Sequence, residues 1–411
     1  FFEEAGLGKP ERVVVRQNTA LPKIAKVFAE TPVPTLKAWH AFHLADQAAP
    51  LLSKRFVDTQ FEFRSKFLNG VEEQRPRWKD ALEEAEIMLG EAIGRAYVAE
   101  HFPPASKAAM ETLVANLMAA MKTRIENASW MSAPTKKEAL AKLANMRVKI
   151  GYPKKWQDYS KLKVVEGDLF GNAERFSRWA WDDEVSRLGK KVDPDEWSMT
   201  PQTVNAYYAP YRNEIAFPAA VLQAPFFDPN ADPAMNYGAI GGGIGHEITH
   251  AFDDQGRKTD GKGQLRDWWA PEDAAKFEAE AAKLGAQYEA LELPWAPGAK
   301  INPKLTMGEN IADLGGILLA LDGYKLSLGG KPAPVLDGFT GEQRVFLAWG
   351  QKWRAIYRED ALRQQLIGDP HSPGMVRSSA PLRNVDAWYA AFGVKEGDKN
   401  YVKPEDRVKI W

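Results

Sequence analysis

The chain has 411 residues, enough for two or three domains, and its 45% hydrophobic and 27% charged content is that of an ordinary globular protein. Its 54 Lys and Arg stand against 55 Asp and Glu, so net charge gives no argument for nucleic acid or an anionic membrane as partner. The absence of cysteine excludes a thiol nucleophile, thiolate metal ligation and any disulfide framework. No run approaches the roughly 20 apolar residues of a membrane span.

The opening Phe1-Phe2-Glu3-Glu4 has no initiator Met and no signal-like segment, so the chain reads as a processed or truncated piece whose missing part carries any targeting information. Apolar residues at three- and four-residue spacing predict helices over 37–68 and 69–101, and Pro103-Pro104 breaks the pattern. A further helix is expected over 105–125 with Ser106 as capping candidate. Another runs over 134–146, ended by Gly151-Tyr152-Pro153, and one more over 172–188 with Asn172 as N-cap.

Past the turn-rich 189–195 the character changes. Short β-like runs over 203–208 and 214–217, separated by Pro210, predict a hairpin or small sheet, and helices follow over 235–252, 272–291, 309–328, 342–357 and 386–392. The expected architecture is mainly α with a small β-sheet (α+β). It divides into a largely helical domain over 1–195 and an active-site domain over 196–411.

The helix expected over 235–252 contains His246-Glu247-Ile248-Thr249-His250. His-Glu-x-x-His on a helix builds a catalytic zinc site, because residues four apart share a helix face and both imidazoles converge on one ion with Glu247 beside them. Only six histidines exist in the whole chain, and a pair at ligand spacing among them points to a metallopeptidase. Gly241, Gly242, Gly243 and Gly245 precede it and suit close backbone packing or a flexible approach to the site. A catalytic zinc needs a third protein ligand and one open position. Glu309 is the candidate, at what reads as the opening of a second helix. Asp313 lies four residues on, so one carboxylate can ligate while the other reaches an imidazole and fixes its tautomer.

With these residues in view, the chain resembles the neprilysin and endothelin-converting-enzyme family of zinc endopeptidases. The resemblance rests on Asn205-Ala206-Tyr207-Tyr208, Phe217-Pro218-Ala219, Leu222-Gln223-Ala224-Pro225-Phe226-Phe227, Gly245 to Phe252 with Asp253-Asp254, Gly308-Glu309-Asn310-Ile311-Ala312-Asp313, His371-Ser372-Pro373-Gly374 and the terminal Trp411. It is strong over 197–411 and weak over the helical part. It implies a two-domain zincin: a thermolysin-like catalytic domain with a helical capping domain around a central chamber that admits peptides but not folded proteins. Family members run to about 700 residues, so part of the cap is expected to be missing, with a companion N-terminal fragment as a possible partner. The lack of disulfides fits a bacterial-type member, and the resemblance alone implies a periplasmic or secreted location.

The family implies one Zn2+ held by His246, His250 and Glu309, a zinc-activated water, Glu247 as general base, and Asp313 orienting His246. His371 matches the family histidine that points at the oxyanion. Asn205 and Ala206, on an expected strand, match the groups that hold substrate on the primed side, and Arg377 matches the arginine that hydrogen-bonds a substrate carbonyl. Val221, Phe226 and Trp353 match a pocket for the hydrophobic residue just after the cleaved bond. Two further pocket positions fall on Gly242 and Gly243, which implies a roomier pocket. The expected function is zinc-dependent hydrolysis of oligopeptides on the amino side of hydrophobic residues. Three alternatives stand beside it. An aminopeptidase lacks its Gly-x-Met-Glu-Asn stretch before His246, a purely structural zinc lacks an obvious fourth ligand, and a catalytically silent peptide-binding fragment keeps every residue above.

Overall fold

In the computed structural model, which describes residues 2–15 and 17–411, the chain forms two compact units. Phe1, first of the residues from which truncation is read, lies outside the described residues. One unit comprises Phe1–Leu89 with Gln157–Asp193, the other Gly90–Trp156 with Pro194–Trp411. Residues 90–156, which a linear reading groups with the helical half, thus cluster with the C-terminal unit.

The first unit holds helices Ala20–Glu30, Val33–Ala48, Lys54–Gln60 and Leu169–Ser186 and the start of Arg77–His101. The helix expected over 37–68 is interrupted around Pro50, which supplies no N–H and sits in a short 3-10 turn, Ala49–Leu51. The one expected over 69–101 starts only after Pro76, and its backbone leaves helical geometry at Leu89 (φ −131°, ψ 28°), where the units divide. Asp168, not Asn172, caps the last helix by accepting from the Gly171 N–H. Among the described residues of this unit only Ala49 is buried, and Ile24, Val27 and Phe28 on one helix stay more than 60% exposed.

The second unit carries the core. Pro104–Asn127 buries Met110, Leu117, Met121 and Ile125; Ser106 is a buried interior residue of this helix rather than its cap. Pro303–Ser327 buries Ile311, Leu314, Ile317 and Ala320. It starts at Pro303 because Asn302 accepts from the Lys304 N–H, and proline at the first helical position loses no intrahelical bond. Glu309 therefore lies in the second turn, not at the opening. Helices Glu359–Gly368 and Gly374–Ser379 are short additions to the expected set.

A single three-stranded sheet completes the mainly helical α+β fold, with strand order β1 (Arg147–Gly151), β3 (Glu214–Pro218), β2 (Tyr207–Ala209). β3 is central and buried throughout, antiparallel to β2 through Tyr208↔Ile215 and parallel to β1 through Lys149↔Ala216. The hairpin was expected, but β1 was not: its partner lies far away in sequence. Asn205 and Ala206 fall just before β2, outside the strand assigned to them.

Candidate active site

Glycines bring the two functional helices together. A Cβ on Gly316 would stand 2.5 Å from the Gly242 carbonyl oxygen, and one on Gly315 2.3 Å from Thr249 Oγ1. The backbone of Pro303–Ser327 therefore touches that of Gly242–His250, at a separation that any side chain would prevent. This contact carries Glu309, two turns upstream on the first helix, to the imidazoles of the second. Immediately before the helix Gly242–His250, five residues, Tyr237–Gly241, form a π turn, a feature that often marks functional sites.

The donors converge. His246 Nε2 and His250 Nε2 are 3.0 Å apart, with Glu309 Oε2 3.2 Å from the first and Oε1 3.5 Å from the second. Each ring is fixed from behind: His246 Nδ1 lies 2.9 Å from Asp313 Oδ1, and His250 Nδ1 lies 2.6 Å from Asp253 Oδ2. With each Nδ1–H donating to its carboxylate, both Nε2 atoms present lone pairs to one point. Asp253 is itself held, its Oδ1 accepting from the Gln255 and Gly256 N–H groups. Asp313 receives the fork of Arg377, Nε to Oδ2 and Nη2 to Oδ1, both at 2.8 Å.

Two lone pairs 3.0 Å apart beside a carboxylate repel unless a cation or protons enter. Glu309 Oε2 is moreover buried without a hydrogen-bond donor. Two imidazoles and a carboxylate with donor atoms within 4.8 Å of one another fit zinc, which accepts this N/O set and keeps a fourth position open. In the protein alone, protons take the cation's part. Burial pulls the His250 imidazole down, but Asp253, Glu309 and Glu247 outweigh it and push it up to about 10. Burial likewise raises the Glu309 carboxyl, but His246, His250 and His371 draw it down to about 2. Asp313 is held far below the usual carboxylate range: its burial is overcome chiefly by the Arg377 charge.

Glu247 is buried at the cleft wall and makes no hydrogen bond or ion pair with a described residue. His371 is exposed on the loop before Gly374–Ser379, with Nδ1 2.7 Å from Asp369 Oδ1 and Nε2 3.3 Å from Glu309 Oε2. Ser372 pins that loop by donating to Asn310 Oδ1, on the residue next to Glu309.

Asn205, Ala206, Val221, Phe226, His246, Glu247, His250, Glu309, Asp313, Trp353, His371 and Arg377 line one open cleft of about 830 Å³ in the second unit, as does Gly243 but not Gly242. Arg377 gives Nε and Nη2 to Asp313 and stacks 4.0 Å over the Trp353 ring. One expectation changes in detail. The pocket is not wider at Gly242, where Trp349 fills the space and a Cβ would meet its ring at 2.6 Å; at Gly243 it is open. Sequence reading missed Asp253 as the partner of His250, although its place three residues on, just past the helix end, was a usable signal. It also missed Asp369 and Lys352, for which spacing offered none.

A helix presenting His-Glu-x-x-His, completed by a glutamate from a second helix across a peptide-sized cleft, is the architecture of a zinc metallopeptidase. Residues 205–408 match Peptidase family M13, and residues 1–153 match the N-terminal part of the same family. The chain belongs to peptidase family M13. It is 32% identical to endothelin-converting enzyme 1 of Bos taurus, covering 100% of this chain and 55% of that protein. It is also 32% identical to the neutral endopeptidase of Lactococcus lactis, covering 98% and 62%. Among solved structures, the Mycobacterium tuberculosis zinc metalloprotease ZMP1 in complex with an inhibitor superposes with a TM-score of 0.95 at 46% identity, over 99% of this chain and 63% of that one. PEPO of Lactobacillus rhamnosis gives 0.82 at 33%, over 89% and 56%. The chain thus spans little more than half the length of the relatives it matches.

Proposed function

We propose that this chain is the zinc-binding catalytic portion of an endopeptidase that cuts oligopeptides on the amino side of hydrophobic residues, with one Zn2+ held by His246, His250 and Glu309. The observation that carries this reading is the convergence of two Nε2 lone pairs and a carboxylate, each imidazole fixed by its own carboxylate, with Glu247 unpaired beside them.

Bound zinc would supply Lewis acidity, lowering the pKa of a nearby water to about 7 and polarising the scissile carbonyl. Glu247 takes the proton released as water attacks and delivers it to the leaving amine, which makes it general base and then general acid. His371 donates from Nε2 to the oxygen that becomes anionic, its ring held at Nδ1 by Asp369. Asp313 and Asp253 keep both ligand rings in one tautomer, and Arg377 keeps Asp313 ionised. The Asn205 amide and Ala206 carbonyl, at the cleft beside the edge strand β2, hold an extended peptide in register. Val221, Phe226 and Trp353 receive the side chain after the cleaved bond.

The helical unit is proposed as part of a cap, and the exposed apolar face of Ala20–Glu30 as a surface for a companion N-terminal portion. A periplasmic or secreted location goes with this reading; among the described residues no helix is long and apolar enough to cross a membrane.

The test is cleavage of an internally quenched oligopeptide with one central Leu or Phe, with and without a chelator and with Glu247→Gln, the products located by mass. Chelator-sensitive cutting before the hydrophobic residue, lost in Glu247→Gln, supports the proposal. Bound zinc with no cleavage would favour the catalytically silent peptide-binding fragment.

A further inference from the structure

Lys352 ends the helix Gly341–Lys352 and lines the cleft beside Trp353. Its Nζ lies 3.9 Å from the centroid of the Trp349 ring and 4.8 Å from that of Trp353. Its one hydrogen bond is a long one, 3.4 Å to the Ala239 carbonyl, and among the described residues no carboxylate pairs with it. Ring faces attract an ammonium but do not accept its directional N–H bonds, of which it has three.

The position of this amine matters. A Cβ placed on Gly243 would find only one neighbour within 4 Å, Lys352 Nζ at 3.9 Å. The open part of the pocket therefore ends on the amine. Gly243 stands four residues before Glu247 and so shares its helix face, which puts this space beside the group proposed to move the proton. The same cleft holds Val221, Phe226 and Trp353, the apolar residues proposed to receive the side chain after the cleaved bond, and one polar group in an apolar pocket fixes what the pocket accepts.

Resting on the endopeptidase reading, we infer that Lys352 is a specificity residue: within a pocket that takes hydrophobic side chains, it adds acceptance of a long side chain that ends in an acceptor oxygen, as in Gln, Glu or Tyr. Loss of hydration pushes the Lys352 amine down to about 7, more than the Asp313 and Glu247 charges restore, so an incoming oxygen relieves a burial that the free protein leaves uncompensated. A lysine that merely packs on Trp349 would not discriminate between substrates.

The experiment compares peptides differing only after the scissile bond, in the pairs Gln/Met, Glu/Met and Tyr/Phe with Leu as reference, on the zinc-loaded wild type and Lys352→Met. We expect Lys352→Met to lower each acceptor-to-apolar ratio of kcat/KM roughly tenfold, the worth of one charge-assisted hydrogen bond. Calorimetric Kd values for the same peptides, measured in the Glu247→Gln background with and without Lys352→Met, give the same ratios independently of turnover. Unchanged ratios in Lys352→Met overturn the inference and leave the peptidase reading intact. Failure of every peptide to be bound or cut overturns that reading, and the inference with it. A larger loss for Glu than for Gln identifies charge as what is read, an equal loss the hydrogen bond, and both uphold the role of Lys352.

Discussion

Asp313 does for His246 what Asp253 does for His250: each carboxylate accepts from one Nδ1, so the two Nε2 atoms face each other with lone pairs outward. Asp313 differs in being paired as well to buried Arg377. Asp253→Asn should therefore weaken zinc binding about 10- to 100-fold with little change in folding. Asp313→Ala should do that and also destabilise the fold by about 3–5 kcal/mol, because it leaves a guanidinium buried without its counter-charge. Competition with a fluorescent zinc chelator, read beside urea unfolding, checks both. Equal effects from the two substitutions would refute the distinction.

The contact between the two functional helices predicts an inverted helix-propensity effect. Gly→Ala inside an exposed helix ordinarily stabilises by about 1 kcal/mol. At Gly316 the added methyl meets the Gly242 carbonyl at 2.5 Å and the His246 backbone nitrogen at 3.0 Å, atoms that cannot rotate away. Gly316→Ala should instead cost about 1–3 kcal/mol and pull Glu309 away from the imidazoles. Unfolding curves and zinc affinity should fall together; a stabilised variant with unchanged affinity would count against the packing argument.

Much of the site was legible because its chemistry repeats at helical spacing: His246 with His250, and Glu309 with Asp313, are both four apart. The fold was legible where it is local, as in the hairpin of β2 and β3. It was not legible where distant segments meet. β1 gains its identity only from parallel pairing with β3, and the assignment of residues 90–156 to the second unit is a matter of packing that no linear change of composition marks. Lys352 falls inside the helix expected over 342–357, where no spacing singles it out. Only the fold turns it toward Gly243.

Lys142 is 1% exposed, with its Nζ donating to the Gly256 and Thr259 carbonyls at 2.7 and 2.6 Å. Burial pulls its amine down to about 7 from the ordinary 10.5, against the pull of Asp253 and Asp260. Between those values the unfolded chain binds the extra proton. This residue's contribution is thus fully present above about 10.5 and is lost as pH falls to about 7. Wild-type stability should rise by at most about 1.4 kcal/mol per pH unit relative to Lys142→Met as pH goes from 7 to 9. Urea unfolding of both proteins across that range would show it, and parallel pH profiles would refute it.

His371 and the residues that hold it separate two kinds of effect. Its ring is exposed, so substituting it removes little packing, whereas Ser372 is buried and ties the loop to Asn310. If His371 donates to the developing oxyanion, His371→Ala should lower kcat by about 10²- to 10³-fold and leave KM nearly unchanged, since the bond forms fully only in the transition state. Asp369→Asn should lower kcat less, because it weakens the contact that orients the ring at Nδ1 while Nε2 stays in place. Ser372→Ala should raise KM and lower stability together, because it loosens the loop instead of removing the donor. Steady-state kinetics of the three variants on one quenched peptide would resolve the pattern. A His371→Ala enzyme that lost affinity with kcat preserved would mean that this ring binds the ground state and takes no part in stabilising charge.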